Sequence, residues 1–117
     1  VAVLLEKGIS IPEIHNSVYN AYTEGKFWWP QCETILATLY AYVATGDEKY
    51  LEMHRRVNDY AYRVFPDAKY GEWYGYLRRD GLPTMPSTKG STFKGPFHLP
   101  RCLIQLDQMM TELEARA

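Results

Sequence analysis

The chain has 117 residues, of which 46% are hydrophobic and 23% charged, a balance typical of one small globular domain. Its formal net charge is -1, which gives no electrostatic reason to expect nucleic acid or an anionic membrane as a partner. No apolar run approaches the roughly 20 residues of a membrane-spanning helix. The two cysteines stand apart rather than in a CxxC pair. They favour a reducing compartment and predict a cytoplasmic protein, although they could also form one long-range disulfide.

Residues 1–25 carry the weakest pattern. One helix is predicted within them, over residues 13–21, with a single apolar stripe. The chain opens with Val1 rather than Met, so we expect further sequence upstream. We therefore treat residues 1–25 as a separate N-terminal segment and residues 26–117 as the main domain.

Two clearer helices follow, over residues 30–45 and from residue 48 to about residue 64. Pro30 suits the start of the first helix, which places Glu33 in the first turn, and a glycine follows as a natural stop. Asp47 can cap the second helix, so the two should form a helical hairpin. Their apolar positions recur every three or four residues and are expected to face the core: Ile35, Leu36, Leu39, Tyr40, Val43, Tyr50, Leu51, Val57, Tyr60, Ala61 and Val64.

The pattern changes beyond residue 70. Residues 71–83 are rich in aromatics and contain Asp80-Gly81, a strong turn signal, so they predict a short β-hairpin. Residues 83–96 are rich in Pro, Gly, Ser and Thr and predict a long loop, which in a compact domain often carries function. A last helix is expected from about residue 98 to residue 115, with an apolar stripe of Leu99, Leu103, Leu106, Met110 and Leu113.

This order of elements predicts an all-α architecture in which paired helices carry long loops on one face. Such pairs cannot bury their apolar faces alone, and they fit a helical toroid or solenoid.

His98 stands where the long loop meets the last helix, a junction at which catalytic groups often lie. Histidine titrates near neutrality and suits proton transfer. Arg101 follows on the same helical face and could hold an anionic oxygen or an enediolate. An equally consistent interpretation is a histidine that caps or packs, with the arginine at the surface.

Other candidates lie near the start of the first clear helix and in the long loop. Trp28 and Trp29 could form one wall of a sugar pocket, with Glu33 as a polar contact. The alternative is that the tryptophans anchor the core and Glu33 serves only the helix terminus. Lys94 could reach a substrate oxygen, although most loop lysines are solvated. No metal-ligand spacing, phosphate-binding loop or nucleophile motif is present, so no metal site is expected.

Four motifs follow one another along the chain: WWPQCE at 28–33, TGDEKYL at 45–51, GEWYGYL at 71–77 and FKGPFHLPR at 93–101. From residue 26 to about residue 113 the chain resembles the N-acylglucosamine 2-epimerase family. The last motif is closer to the N-acylglucosamine type than to the related cellobiose 2-epimerases. The resemblance implies a partial (α/α)6 barrel, with a short β-hairpin and long loops on its active-site face. It also implies the sugar pair N-acetylglucosamine and N-acetylmannosamine as substrates.

The resemblance further implies a mechanism of deprotonation and reprotonation at C2 of the open-chain sugar, through an enediolate-like intermediate. His98 would be one of two proton-handling groups, and the sugar would be held by Arg101, Trp28, Trp29, Glu33 and, to a lesser extent, Lys94. No cofactor is required, apart from a nucleotide effector in some relatives. The implied partners are the sugar and a second copy in a homodimer, with neither nucleic acid nor membrane.

One expected part of the site is missing from the motifs. The second catalytic histidine should lie upstream of the Trp-Trp pair, yet residues 1–22 show no family segment that we recognise. The second histidine cannot be placed on His15 from the sequence. From the residues themselves, His15 and His54 are interpreted as ordinary residues, and His54 stands next to Arg55 and Arg56. Three hypotheses remain open: a C-terminal piece of an epimerase, a small helical sugar-binding or interaction module without turnover, and several copies that rebuild an enclosure. Within the family, a cellobiose 2-epimerase or a mannose isomerase is the alternative.

Overall fold

The computed structural model describes residues 25–85 and 87–117. Along the chain lie strand β1 (Lys26–Phe27), helix α1 (Trp28–Thr45), helix α2 (Glu48–Val64), strand β2 (Tyr76–Leu77) and helix α3 (His98–Arg116). The helix expected over residues 13–21 lies outside the described residues. None of the helices in the described part combines the length and the apolar composition needed to cross a lipid bilayer.

Helix α1 begins earlier than expected, at Trp28 rather than Pro30. Phe27 precedes it in an extended conformation without a side-chain cap, and the Trp28 N–H donates instead to the Gly75 carbonyl, 3.1 Å away. Pro30 still lies in the first turn, where its missing N–H costs no helical hydrogen bond. The prediction that Glu33 lies in the first turn is wrong, because the earlier start moves it into the second turn.

The predicted helical hairpin is confirmed. Gly46 ends α1 in the left-handed region at φ 68°, and its N–H donates to a carbonyl of the last turn at 2.8 Å. Asp47 then caps α2 by accepting a hydrogen bond from the Lys49 N–H at 3.0 Å. A buried histidine ties the two helices together, since His54 Nδ1 lies 3.0 Å from the Ile35 carbonyl oxygen.

Helix α1 lies at the centre of the core, because it packs against both α2 and α3. Where α1 meets α3, Cys102 Sγ lies 3.6 Å from the Cys32 carbonyl oxygen, and both cysteines are free thiols. The hydrogen bond with Cys102, together with burial, raises the pKa of the Cys32 thiol. The core consists of Trp28, Cys32, Ile35, Leu36, Leu39, Ala61, Phe65, Trp73, Leu77, Leu99, Cys102 and Met109.

The predicted apolar stripe of α3 is wrong at two positions. Leu103 and Met110 are 45% and 40% exposed, and the buried residues beside them are Cys102 and Met109. Helix α3 has apolar side chains on more than one face, so their spacing alone does not determine which face meets α1. In α1, Tyr40 was also expected to face the core and is 51% exposed.

The two short strands are antiparallel, and their register pairs Lys26 with Leu77 and Phe27 with Tyr76. The hairpin predicted at Asp80-Gly81 is present only as a turn closed by a single bridge between residues 77 and 83. Strand β2 therefore pairs over more residues with β1 than across this turn, although β1 lies far from β2 in the sequence. This pairing places the start of α1 beside the segment that follows α2.

The long loop predicted over residues 83–96 is held against the protein by Lys89. Its Nζ lies 2.6 Å from Asp67 Oδ2 and 2.8 Å from the Gly71 carbonyl oxygen. The hydrogen bond from Lys89 lowers the pKa of Asp67 to about 2. The end of this loop leads directly into α3.

Gly46→Ala is expected to destabilise the fold by about 1 kcal/mol, because φ 68° is strained for a residue with a side chain. A Cβ at Gly46 meets no atom within 4 Å, so the cost comes from the backbone alone. Urea unfolding followed by circular dichroism measures the change. Gly95→Ala is the matched control, since a Cβ there also meets nothing within 4 Å and its φ is not positive. Equal stability of the two variants would contradict the role of Gly46 as the helix cap.

Candidate active site

Three of the predicted side chains meet where α1 and α3 lie side by side. Glu33 lies in the second turn of α1, and His98 and Arg101 lie in the first turn of α3. His98 Nδ1 is 3.0 Å from Glu33 Oε1, and Arg101 Nη2 donates to the same oxygen. Because these partners are 65 and 68 positions away from Glu33, only the packing of α3 on α1 brings them together.

Glu33 determines which nitrogen of His98 carries the proton. The hydrogen bonds from Arg101 and from His98 lower the pKa of Glu33, so it is a carboxylate at neutral pH. A carboxylate can only accept, so His98 Nδ1 must be the donor. In the neutral imidazole the lone pair then stands on Nε2, which is the arrangement of a general base held in place by an acid residue.

Aromatic rings surround the His98 imidazole. The ring centroids lie 4.9 Å away for Phe97, 5.9 Å for Trp29 and 6.1 Å for Trp28. Trp28 is 2% exposed and belongs to the core, whereas Trp29 is 42% exposed. The predicted wall of two indoles is therefore reduced to one. Within the described residues, Trp29 is the member of this pair that presents an exposed ring face.

Lys94 is buried rather than solvated, with a side chain that is 4% exposed. Its Nζ lies 3.1 Å from Glu72 Oε1 and 6.0 Å from the Trp28 ring centroid. The ammonium therefore already has a partner within the protein. Glu72 was not among the candidates from the sequence, and the only signal that pointed to it was its place in the GEWYGYL motif.

Two buried nitrogen donors beside His98 lack an acceptor within the part of the chain that the structure describes. They are Nε1 of Trp28 and Nε of Arg101. Buried donors are seldom left unpaired, so an acceptor from a ligand or from another part of the protein is expected here. A cavity of about 810 Å³ lies elsewhere, beside β2, with Tyr76 and Arg78 among its lining residues and without His98.

The second described histidine takes no part in this cluster. His54 is 3% exposed and bonded to α1, so it is a core residue, and His15 lies outside the described residues. Over residues 25–85 and 87–117, no three His, Cys, Asp or Glu side chains come close enough together to hold a metal ion.

The sequence model of one family, described as N-acylglucosamine 2-epimerase (GlcNAc 2-epimerase), matches residues 2–99. The chain belongs to this family. Its match takes in residues 2–22, where the sequence showed no recognisable family segment. The curated relatives that match this chain are named as epimerases, a class of isomerase.

Individual relatives agree with this assignment. The N-acylglucosamine 2-epimerase of Bos taurus is 44% identical over 91 residues, which are 78% of this chain and 21% of that protein. A cellobiose 2-epimerase of Ruminococcus albus is 28% identical over 88 residues, 74% of this chain and 23% of that protein. The structure of a cellobiose 2-epimerase from Bacillus thermoamylovorans is similar with a TM-score of 0.65 at 30% identity, over 72% of this chain and 22% of that one.

The family fold explains the helical arrangement. The described helices, with their two-stranded sheet, form part of the (α/α)6 barrel of the N-acylglucosamine 2-epimerase family. The chain spans about a fifth of the length of the curated relatives it matches. The site around His98 therefore contains the groups that this part of a barrel supplies.

Acidification is expected to release His98 and Arg101 from Glu33. The pKa of Glu33 in the folded chain lies below its ordinary value of 4.5. The interaction therefore stabilises fully above pH 4.5 and is lost as the pH falls through the folded-state pKa. NMR titration of the Glu33 carboxyl carbon measures this. In Arg101→Met the titration should move up towards pH 4.5, because the largest cause of the lowered pKa is gone. If variant and parent titrate together, the pairing does not exist in solution.

Proposed function

We propose that this chain is the C-terminal part of a sugar 2-epimerase that interconverts N-acetylglucosamine and N-acetylmannosamine. The observation that carries the proposal is the hydrogen bond between Glu33 and His98 Nδ1, 3.0 Å long. It leaves the lone pair of Nε2 for a substrate proton. A group that removes a proton next to a carbonyl must lie within hydrogen-bond reach and hold its unprotonated form near neutral pH.

In the proposed reaction the sugar is bound as its open-chain aldehyde. His98 Nε2 takes the C2 proton. The electrons of the C–H bond form the C1–C2 double bond, and the π electrons of the aldehyde move onto the C1 oxygen, which gives an enediolate-like intermediate. The Glu33 carboxylate stabilises the imidazolium through Nδ1–H, as the acid residue of a catalytic triad does. An acid on the opposite face of C2 then donates a proton and inverts the configuration.

The remaining groups of the site suit the negative charge of that intermediate. Arg101 uses Nη2 on Glu33, while its buried Nε has no acceptor among the described residues. We propose that the C1 oxygen of the intermediate is that acceptor, since fixed donors aimed at developing charge stabilise the transition state. The exposed ring of Trp29 suits the apolar face of the sugar. Glu33 would act through His98 rather than on the sugar.

The second proton-handling group is proposed to lie outside the described residues. His54 is buried in the core and bonded to α1, which leaves His98 as the proposed proton-handling group among the two histidines that the structure describes. His15, or a group in a part of the barrel beyond this chain, would act on the other face of C2.

The choice of an N-acyl sugar is supported by the degree of similarity. Identity is 44% with the Bos taurus N-acylglucosamine 2-epimerase and 28% with the Ruminococcus albus cellobiose 2-epimerase. A cellobiose 2-epimerase or mannose isomerase is the alternative within the family. On the family resemblance we also propose a cytoplasmic location, assembly as a homodimer and a reaction that requires no cofactor. The resemblance includes a nucleotide effector in some relatives.

In the full-length epimerase, His98→Asn is expected to slow exchange of the C2 proton by a factor of at least about 100, the low end of what a general base contributes. N-acetylmannosamine is incubated in deuterated water, and the loss of its C2 proton signal is followed by NMR. Gln108→Asn, at an exposed position of the same helix, is the control and should keep the parental rate.

Three outcomes decide the assignment. Retention of most activity in His98→Asn would overturn the role of His98. Binding of N-acetylmannosamine without exchange by the parent would favour a sugar-binding module instead. Exchange by the isolated chain would show that residues 1–117, alone or in an oligomer, hold both proton-handling groups.

A further inference from the structure

Lys94 is a buried cation in the loop that leads into the site. Its backbone lies in a tight turn, in which the Lys94 N–H donates to Ser91 Oγ at 3.1 Å and the Lys94 carbonyl accepts from the Ser91 N–H at 3.2 Å. Its side chain points inward and is 4% exposed. Lysine is rarely buried without a partner, because removing an ammonium from water is costly. We therefore expect the buried Lys94 ammonium to have a structural or functional role.

The partner of Lys94 adopts an unusual backbone conformation. Glu72 lies at φ 65°, and within the described part of the chain it is the only residue other than glycine with a positive φ. Its Oε1 accepts from Lys94 Nζ at 3.1 Å and from the N–H of Trp73 at 2.7 Å. Burial opposes ionisation, yet the hydrogen bonds from Trp73 and Lys94 lower the pKa of Glu72. Strained residues persist where the surrounding structure requires them, often at functional sites.

The space around the Lys94 side chain is closed by Gly75. A Cβ added at Gly75 would come within 3.0 Å of Lys94 Cδ and 3.8 Å of Trp28 Cε3. The Gly75 carbonyl also accepts from the N–H of Trp28 at 3.1 Å, and its N–H donates to the Thr88 carbonyl at 3.0 Å. One glycine thus joins the start of α1, β2 and the loop, and leaves just enough room for the lysine stem.

These contacts lead to the catalytic histidine through Trp28. Lys94 Nζ lies 6.0 Å from the Trp28 ring centroid, near the limit for a cation–π contact. The same indole meets the His98 ring edge to face, at 6.1 Å and an interplanar angle of 77°. Lys94 is also only four positions before His98 in the chain. The lysine is therefore linked to His98 indirectly by two routes, through the loop and through the indole.

We propose that the Glu72–Lys94 ion pair is a positioning pair, which holds Trp28 and the end of the loop so that His98 keeps its bond to Glu33. This inference rests on the proposed function, in which His98 handles the C2 proton. Lys94 would then act on His98 and not on the sugar, in contrast to the substrate contact expected from the sequence.

Lys94 and Glu72 are unequally buried, so replacing one of them should have a different effect from replacing the other. The Glu72 side chain is 50% exposed, so its carboxylate can be solvated when Lys94 is replaced. The Lys94 ammonium is 4% exposed and cannot be solvated when Glu72 is neutralised. Removing the carboxylate should therefore disturb the loop more than removing the ammonium, and the double replacement should recover part of the loss.

The test compares Glu72→Gln, Lys94→Met, the double variant and Gly75→Ala with the parent. Lys89→Met is the matched control, because it removes the other lysine ion pair of the same loop, with Asp67. In the 117-residue chain, two-bond ¹H–¹⁵N NMR identifies which His98 nitrogen carries the proton, with His98→Asn for assignment. In the full-length enzyme, kcat and KM for N-acetylmannosamine are measured separately.

We expect the parent to show the Nδ1–H form of His98, and Glu72→Gln, Lys94→Met and Gly75→Ala to show a mixture of both forms. The value of kcat should fall on the order of ten- to a hundredfold, as for a catalytic group displaced by up to an ångström, with KM changed less than about twofold. Lys89→Met should match the parent in both measurements.

Two results would overturn the inference. One is a folded Lys94→Met chain with the parental His98 signals and kcat. The other is a raised KM with unchanged kcat, which would mean that Lys94 touches the sugar. If Lys94→Met does not fold, Gly75→Ala decides by the same criteria. A parent that does not exchange the C2 proton would contradict the proposed function alone, since the NMR measurement on the chain does not depend on turnover.

Discussion

A single carboxylate joins the two helices on which the site is built. Glu33 extends from α1 and accepts hydrogen bonds from His98 and Arg101, both at the start of α3. The arginine keeps the carboxylate ionised, and the ionised carboxylate keeps the proton of His98 on Nδ1. The packing of α1 on α3, through Cys32 and Cys102 among others, brings these groups within reach. Fold and chemistry thus depend on the same helix pair.

The rest of the described chain supports this pair from outside. A two-residue turn connects α1 to α2, which packs against it. The hydrogen bond between the buried His54 and the Ile35 carbonyl joins the two helices. The segment after α2 returns to the start of α1 and supplies the Gly75 carbonyl as its cap. The long loop is then held by two lysines, Lys89 on Asp67 and Lys94 on Glu72. The Gly75 carbonyl fixes the start of α1, and Lys94 anchors the loop just before α3, so these irregular segments also position the site, whereas Lys89 holds the loop farther from the helix.

The sequence predicted the local features well. Helix ends follow from Gly46 and Asp47, whose backbone and capping preferences act within a few residues. The sequence also named Glu33, His98, Arg101 and Lys94 as candidates, but it did not predict the contacts between them. The pairing of Glu33 with His98 and of Glu72 with Lys94 spans 65 and 22 positions, and local periodicity contains no information on such contacts.

The prediction of which α3 side chains face the core was wrong at two positions for a related reason. The helix carries apolar side chains both towards α1 and away from it, as Leu103, Ile104 and Met110 show with 45%, 59% and 40% exposure. A pattern that marks an apolar face does not say which neighbour covers it. Trp28 and Trp29 posed the same problem, since two adjacent indoles point in different directions and only the packing assigns one of them to the core.

The side-by-side placement of the first turns of α1 and α3 has an electrostatic consequence. Each helix begins with backbone N–H groups that have no partner within the helix, and the peptide dipoles add a partial positive charge at that end. His98 is the first residue of α3, and its ring lies against the rings of Trp28 and Trp29 in the first turn of α1, so the N-terminal turns of both helices contribute to the surroundings of the imidazole. The backbone of these turns therefore favours a negative charge that develops next to the imidazole, independently of the charged side chains.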